Sequence, residues 1–330
     1  MRIPGIKSVR RYMTWTKSRL FNGALILGYH RVALKERDQY SICVSPEYFS
    51  QQLEVLKQYS QPISLPELVN AVMDGHLPKR AVVVTFDDGY ADTLYQAKPM
   101  LESFKIPATV FVTTGFIGGE FWWDELERTL FGPPTLPEKL ILSINGRTYE
   151  REIGKIKNSP TKGNLSGREA LLKSLYQWLL PMSSDDRQKA MVQLSAWAGW
   201  EGVENPSSRA LTADEIVELT RGELIDIGSH TVTHPLLAKL PRKTQSNEIQ
   251  QSKTYLEELL GQQVNSFSYP NGSSSQETET IVKASGYNCA CASYNDVVVQ
   301  SSNLFYLPRF WISNWDGATF RRWLRHWLSP

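Results

Sequence analysis

Short apolar runs recur along the chain, each closed by a polar or glycine-containing turn and most separated by a stretch with helical spacing. Ala24–His30, Ala81–Val84, Ala108–Val112, Leu224–Gly228, Val264–Tyr269, Tyr287–Ala292 and Phe305–Ile312 read as buried strands. Between them, Ser45 with Pro46 opens a helix to about Tyr59, and Ser64 with Glu67 forms a capping box for a helix to Met73, closed by Asp74-Gly75. Asp92–Phe104 reads as one helix, Thr212 with Glu215 caps another that stops at Gly222, and Lys243–Leu260 forms a third with Gly261 as its stop. Strands alternating with helices predict an α/β fold with a mostly parallel sheet, and about seven strands suit a distorted (β/α) barrel. A doubly wound open sheet is the alternative, although no Gly-x-Gly-x-x-Gly follows any strand.

The alternation breaks between residues 119 and 210. Leu140–Glu150 reads as a hairpin around Asn145-Gly146, and Arg168–Leu180 and Asp185–Trp197 as helices. Two Pro/Gly/Ser/Asn-rich pieces, Asn158–Gly167 and Glu204–Ser208, flank this material, which therefore reads as a mainly helical insertion. The expected organisation is a basic segment 1–23, a first barrel part 24–118, the insertion 119–210, a second barrel part 211–314 and a basic amphipathic terminal helix 315–330.

Composition narrows the picture without redirecting it. The chain has 330 residues, 41% hydrophobic and 21% charged, with a net charge of +2, too small to argue for a nucleic-acid partner. Three cysteines, Cys43, Cys289 and Cys291, lack zinc-knuckle spacing, and so sparse and odd a count fits a reducing compartment. The first twenty residues are basic and acid-free but lack the apolar core of a secretory signal, and no apolar run is long enough to span a bilayer. These features point to a cytoplasmic protein. Phe320, Trp323, Leu324, Trp327 and Leu328 form one face of the terminal helix and arginines the other, so with the basic N-terminus it is either a peripheral foothold on the inner membrane face or a helix packed on its own barrel. No obligate protein partner is implied.

The chemistry gathers just past the C-terminal ends of the strands. His30, Asp87 and Asp88, His230 and His234, the Ser268–Gly272 segment and Arg309 all fall there, where a β/α barrel builds its active site. Asp87-Asp88-Gly89 ends an apolar strand, and two adjacent carboxylates there repel unless a cation or a shared proton compensates them. On a helical turn, His230 and His234, four apart, would share one side. Two imidazoles, one carboxylate (Asp88) and an open position for water make a common catalytic metal set, leaving Asp87 free to take a proton.

Thr85–Tyr90 (Thr-Phe-Asp-Asp-Gly-Tyr) followed by His230-Thr-Val-Thr-His234 resembles the first two motifs of the NodB-homology polysaccharide deacetylases, carbohydrate esterase family four. The resemblance covers about Leu25–Ile117 and Ala210–Ile312. It implies that Asp87 is the general base and that Asp88, His230 and His234 hold one divalent metal ion, with zinc foremost and cobalt, nickel, iron or manganese alternatives. Phe267–Gly272 looks like the third motif, placing Tyr269 and the Asn271 backbone N–H at the substrate. Here the chain departs from the family: Ser268 stands where an arginine orienting the base is expected. Arg309 could supply that guanidinium or form an ordinary ion pair. The family's late Leu-x-His motif is not visible, so His30 could be the acid, as in the poly-N-acetylglucosamine deacetylase branch, or a structural histidine. Trp122, Trp123 and Asp124 read as a sugar-binding subsite or as the core of an inserted helix. The implied function is a metal-dependent hydrolase removing N-acetyl from an amino sugar in a polysaccharide or glycan precursor. A deformylase or deacetylase of a lipid-linked sugar, or a non-catalytic glycan-binding barrel, are the rivals.

Overall fold

A computed structural model describes residues 23–35, 37–153, 167–200 and 208–328. The basic segment before residue 23 and most of both Pro/Gly/Ser/Asn-rich pieces lie outside these residues. The chain divides into two compact units, Met1–Ile117 with Leu211–Pro330, and Gly118–Ala210.

The first unit is built on seven strands: β1 Leu25–Tyr29, β2 Ala81–Phe86, β3 Ala108–Val112, β4 Ile225–Ser229, β5 Ser266–Ser268, β6 Cys289–Cys291 and β7 Phe310–Trp311. All pair in parallel, in the order β6-β5-β4-β3-β2-β1-β7, with short Gln61–Pro62 also beside β2. Leu307 bridges Cys291 at one end of this path, and Phe310 pairs with Leu27 at the other. The segment carrying Arg309 thus touches both ends of the curled sheet. Only Phe310–Trp311 of the expected Phe305–Ile312 strand pairs regularly, because Pro308 has no N–H to give to a ladder.

Alternation along each strand sorts the core into two clusters. Leu25, Leu27, Val82, Val84, Val110 and Val112 join one; Ala24, Ile26, Ala81, Val83, Phe111, Cys289, Cys291 and Leu307 join the other. The second set faces inward, and the small thiols of Cys289 and Cys291 are buried within it.

Helix ends follow the capping chemistry. Ser64–Glu67 and Thr212–Glu215 form reciprocal capping boxes, and Gly75 and Gly261 end their helices in left-handed conformation. The 92–104 stretch is not one regular helix: a π-helical turn at Thr93–Ala97 precedes the α-helix Lys98–Phe104. Pro99 lacks the N–H that would bond the carbonyl four residues back, so the ladder widens there.

The second unit carries the hairpin Lys139–Ile144 and Arg147–Glu152, with Asn145 and Gly146 at φ of 47° and 76°, and helices Trp122–Phe131, Gly167–Leu179 and Ser184–Ala198.

The terminal helix Gly317–Trp327 buries Phe320, Leu324 and Trp327 against the barrel core, and Trp323 and Trp327 pack on Phe310. The apolar face that could have entered a membrane is already covered. No described helix is long and apolar enough to cross one.

Candidate metal and hydrolytic site

Strand alternation selects which residues reach the barrel mouth. Along β2 the inward set runs Ala81, Val83, Thr85, Asp87; along β1 it runs Ala24, Ile26, Gly28, His30. The Asp87 N–H donates to the Tyr29 carbonyl at 2.9 Å, which extends the β1–β2 ladder to the first carboxylate. The chain then turns sharply: Asp88 has φ 73° and Gly89 φ 84°. A left-handed Asp88 is unusual for a residue with a Cβ. It overrides the alternation that would have sent Asp88 away from Asp87, and both are buried.

Asp88, His230 and His234 offer three ligand atoms lying within 4.8 Å of one another. Asp88 Oδ1 is 3.6 Å from His230 Nε2 and 3.4 Å from His234 Nε2. His230 lies next to the Ser268 carbonyl, 2.8 Å from its Nδ1. Because a carbonyl can only accept, Nδ1 carries the proton and the Nε2 lone pair faces Asp88. Fixing the tautomer by a backbone acceptor is a common arrangement behind metal-bound imidazoles. Buried oxygen and nitrogen donors of this kind suit a divalent cation.

The histidines do not lie on a helical turn. Residues 230–234 form a loop in which Thr231 and His234 take φ of 68° and 54°. The loop is tied to the end of β3: His230 N–H donates to Val112, and Thr114 and Gly115 donate to Thr231 and Val232.

Asp87 is held differently. Arg309 Nη1 donates to Asp87 Oδ1 at 2.7 Å and Nη2 to Oδ2 at 2.8 Å, a two-pronged pair with a fully buried guanidinium. Ser268 Oγ donates to Asp87 Oδ2 at 3.1 Å and accepts from Arg309 Nη2 at 2.8 Å. Thr85 Oγ1 accepts from Arg309 at 3.2 Å, and the Ala292 carbonyl accepts from its Nε at 3.1 Å. The small Ser268 side chain thus bridges the same pair that Arg309 makes. Burial pushes the Asp87 carboxyl up, but Arg309, His230 and the Arg309 hydrogen bond outweigh it and hold Asp87 well below the usual carboxylate range. Burial likewise opposes the charge on Arg309, yet Asp87 holds its pKa above the ordinary value. Burial, aided by Arg309, lowers His230, so it presents a neutral ring.

His30 is half-buried at the end of β1 and stacks on Trp311, centroids 4.6 Å apart. Burial chiefly brings its pKa down to about 4, with Arg309 and His230 adding and Asp87 opposing. Trp311 also lies beneath the Arg309 guanidinium, 4.7 Å from the ring centroid. Its seat is Gly28, where a Cβ would stand 2.7 Å from the indole.

Asn271 is exposed at the tip of the turn after β5, with φ 53°. Tyr269 differs from its expected place: it is buried, its hydroxyl donates to the Phe305 carbonyl at 2.8 Å, and its ring belongs to the cluster opposite the inward one. Alternation from inward Ser268 dictates this. Trp122 and Trp123 are buried too. Tyr176 stacks on Trp122 at 5.1 Å, Arg187 lies 4.7 Å from the same indole, and Phe121 stacks on Trp123 at 4.7 Å. Their faces are occupied inside the 118–210 unit, and Asp124 is buried in the first turn of the same helix, so an open stacking platform is not what these residues form. Trp311 and the bridging role of Ser268 carried no sequence signal of their own, and Thr85 stood in the first motif without an assigned role.

The profile of the family described as polysaccharide deacetylase matches residues 74–131 and 188–290. Among curated proteins, a poly-beta-1,6-N-acetyl-D-glucosamine N-deacetylase of Staphylococcus aureus is 37% identical over 115 residues, which is 30% of this chain and 39% of that protein. The Staphylococcus epidermidis protein of the same name is 33% identical over 111 residues, again 38% of its length. The alignments therefore span well under half of these relatives. Two solved structures share the fold: the Streptococcus pyogenes deacetylase PplD, with TM-score 0.59 and 20% identity over 91% of this chain and 97% of that one, and IcaB from Ammonifex degensii, with TM-score 0.61 and 19% identity over 93% and 97%. The Asp-Asp-Gly turn and the paired histidines, brought together at one barrel mouth, both lie within the two stretches that match the polysaccharide deacetylase family, which together make up just under half of the chain.

Proposed function

We propose that this protein is a metal-dependent hydrolase that removes the N-acetyl group from an N-acetylated amino sugar in a polysaccharide or glycan precursor. The observation that carries the reading is the division of labour between adjacent carboxylates: Asp88 faces two imidazoles, while Asp87 is clamped by Arg309 beside them. The names of the staphylococcal relatives support the same substrate class.

Asp88, His230 and His234 would hold the cation, zinc foremost given two nitrogens and one carboxylate. When bound, a divalent cation there supplies Lewis acidity that acidifies water and polarises an amide carbonyl. Asp87, kept ionised by Arg309 and lying with Oδ2 3.8 Å from His230 Nε2, accepts the proton that water loses. Arg309 and Ser268 fix the direction in which it does so. The Asn271 backbone N–H, at the tip of its turn, is the candidate donor to the developing oxyanion. His30 protonates the departing nitrogen. It rests neutral, so the proton it delivers must first reach it, and the one that Asp87 takes from water supplies it.

Acetate release from N-acetylglucosamine oligomers by metal-stripped and reloaded protein tests the reading. Turnover restored by one or more of zinc, cobalt, nickel, manganese and iron is expected. Asp87→Asn should lose about 10²–10⁴-fold in kcat, the worth of a general base, while still binding metal. Tight glycan binding with no release under any metal would favour a binding barrel, and formate release from a formylated lipid-linked sugar would favour the deformylase.

A further inference from the structure

The loop between the two metal-site histidines needs an external support, and the structure shows one. The loop carries two left-handed residues with side chains, Thr231 and His234, so its own backbone preferences do not hold it in place. Glu248, six residues into the helix Arg242–Leu260, reaches its middle. Glu248 Oε2 accepts from the Val232 N–H at 2.9 Å and from the Thr233 N–H at 2.8 Å, and Oε1 accepts from the Thr233 hydroxyl at 2.7 Å. Consecutive backbone N–H groups converging on one carboxylate oxygen fix the orientation of both peptide planes. From the other side, Gly115 donates to the Val232 carbonyl at 2.8 Å. The Thr231 hydroxyl accepts from the His234 N–H at 3.1 Å, passing the constraint to the second ligand.

We infer that Glu248 is a positioning residue for metal binding: it clamps the 230–234 loop so that His230 and His234 stand at their spacing before a cation arrives. Its hydrogen bonds go to the loop backbone and the Thr233 hydroxyl, not to the imidazoles. It acts through Val232 and Thr233, and removing it lets the loop sample backbones in which the two imidazoles diverge. This inference rests on the reading that Asp88, His230 and His234 hold a metal.

Metal affinity, measured by competition with a chromophoric chelator on the full chain, separates the two readings. Wild type that binds no divalent cation overturns the metal site itself. If wild type binds, Glu248→Ala is expected to bind zinc about 10–100-fold more weakly, the usual loss when a group orienting a ligand is removed. Glu248→Gln should stay close to wild type, because its amide oxygen can receive both N–H groups while its NH₂ donates to a turned Thr233 hydroxyl. Thr233→Val removes one hydrogen bond of the three and should fall between. Thermal melting of the metal-free variants shows whether a loss is local. Alanine affinity equal to wild type, or glutamine affinity as poor as alanine, overturns the clamp, as does a lowered metal-free melting point with unchanged affinity. Should Glu248→Ala fail to fold, the order Glu248→Gln above Thr233→Val still decides.

Discussion

At the scale of single residues, the pair that organises this site is Asp87 with Arg309. An isolated buried carboxylate is costly, whereas one gripped by a guanidinium with every prong used is stable and charged. Arg309→Met should therefore destabilise the metal-free protein by about 3–5 kcal/mol, because the carboxylate stays behind without its partner. Adding Asp87→Asn should recover much of that loss in urea denaturation; a double variant no more stable than Arg309→Met would show that the arginine acts mainly through packing on Trp311. The pH dependence has a definite sign. Asp87 is depressed in the folded state, so its contribution is present above the unfolded carboxyl pKa of about 3.9 and is lost as pH falls below that toward the folded value. Below about pH 4, metal-free wild type should lose stability more steeply than Asp87→Asn. Parallel acid limbs for the two proteins would count against the pair as a source of stability.

At the scale of elements, Gly28 and Trp311 show how closely β1 and β7 are matched. The indole lies where a Cβ on residue 28 would be, and carries His30 on a stacked face and Arg309 within cation–π reach. Gly28→Ala should cost about 1–3 kcal/mol by overpacking and lower kcat more than it raises KM, since both neighbours of the indole shift. A smaller residue in the same variant, Trp311→Leu, should return stability without returning activity; an unchanged denaturation midpoint for Gly28→Ala would refute the tight seat. The seven strands could be read from the chain because strands buried on both faces form continuous apolar runs, and the capped helix starts because Ser64, Thr212 and their glutamates act locally. Other features depended on distance or on turn geometry. Arg309 meets Asp87 across 222 positions, a partnership that no local pattern encodes. The His230–His234 spacing suggests a helical turn, but the loop reaches convergence through positive φ at Thr231 and His234 and a clamp from a separate helix. Tryptophans 122 and 123 look alike in sequence whether they bind sugar or fill a core, and only their stacked neighbours distinguish the two.

At the scale of the whole molecule, the terminal helix shows how one amphipathic segment is committed to one task. Asp316 caps it by accepting from the Thr319 N–H at 2.8 Å, and Gln51 accepts from the Gly317 N–H at 2.8 Å, joining its start to the helix Pro46–Tyr59. Phe320 and Leu324 are fully buried, while Arg321, Arg322 and Arg325 are exposed. The apolar stripe thus contributes to the barrel core, with Trp323 partly buried at its edge, and the arginines form the exposed face. Two variants separate these tasks. Phe320→Ala should cost about 3–5 kcal/mol, as for a large aromatic removed from a core, and lower the melting temperature accordingly. Replacing Arg321, Arg322 and Arg325 together by glutamine should leave stability within about 0.5 kcal/mol per site. If the helix instead served as an insertion element, its aromatic face would be replaceable without loss of fold. A Phe320→Ala protein that melts with wild type but no longer sediments with anionic vesicles would then be found. Because Phe320, Leu324 and Trp327 are already in contact with the core, any vesicle association through this helix should be purely electrostatic: abolished by the triple glutamine variant and by salt that shortens the screening length to about 3 Å, and unaffected by Phe320→Ala in the fraction that stays folded.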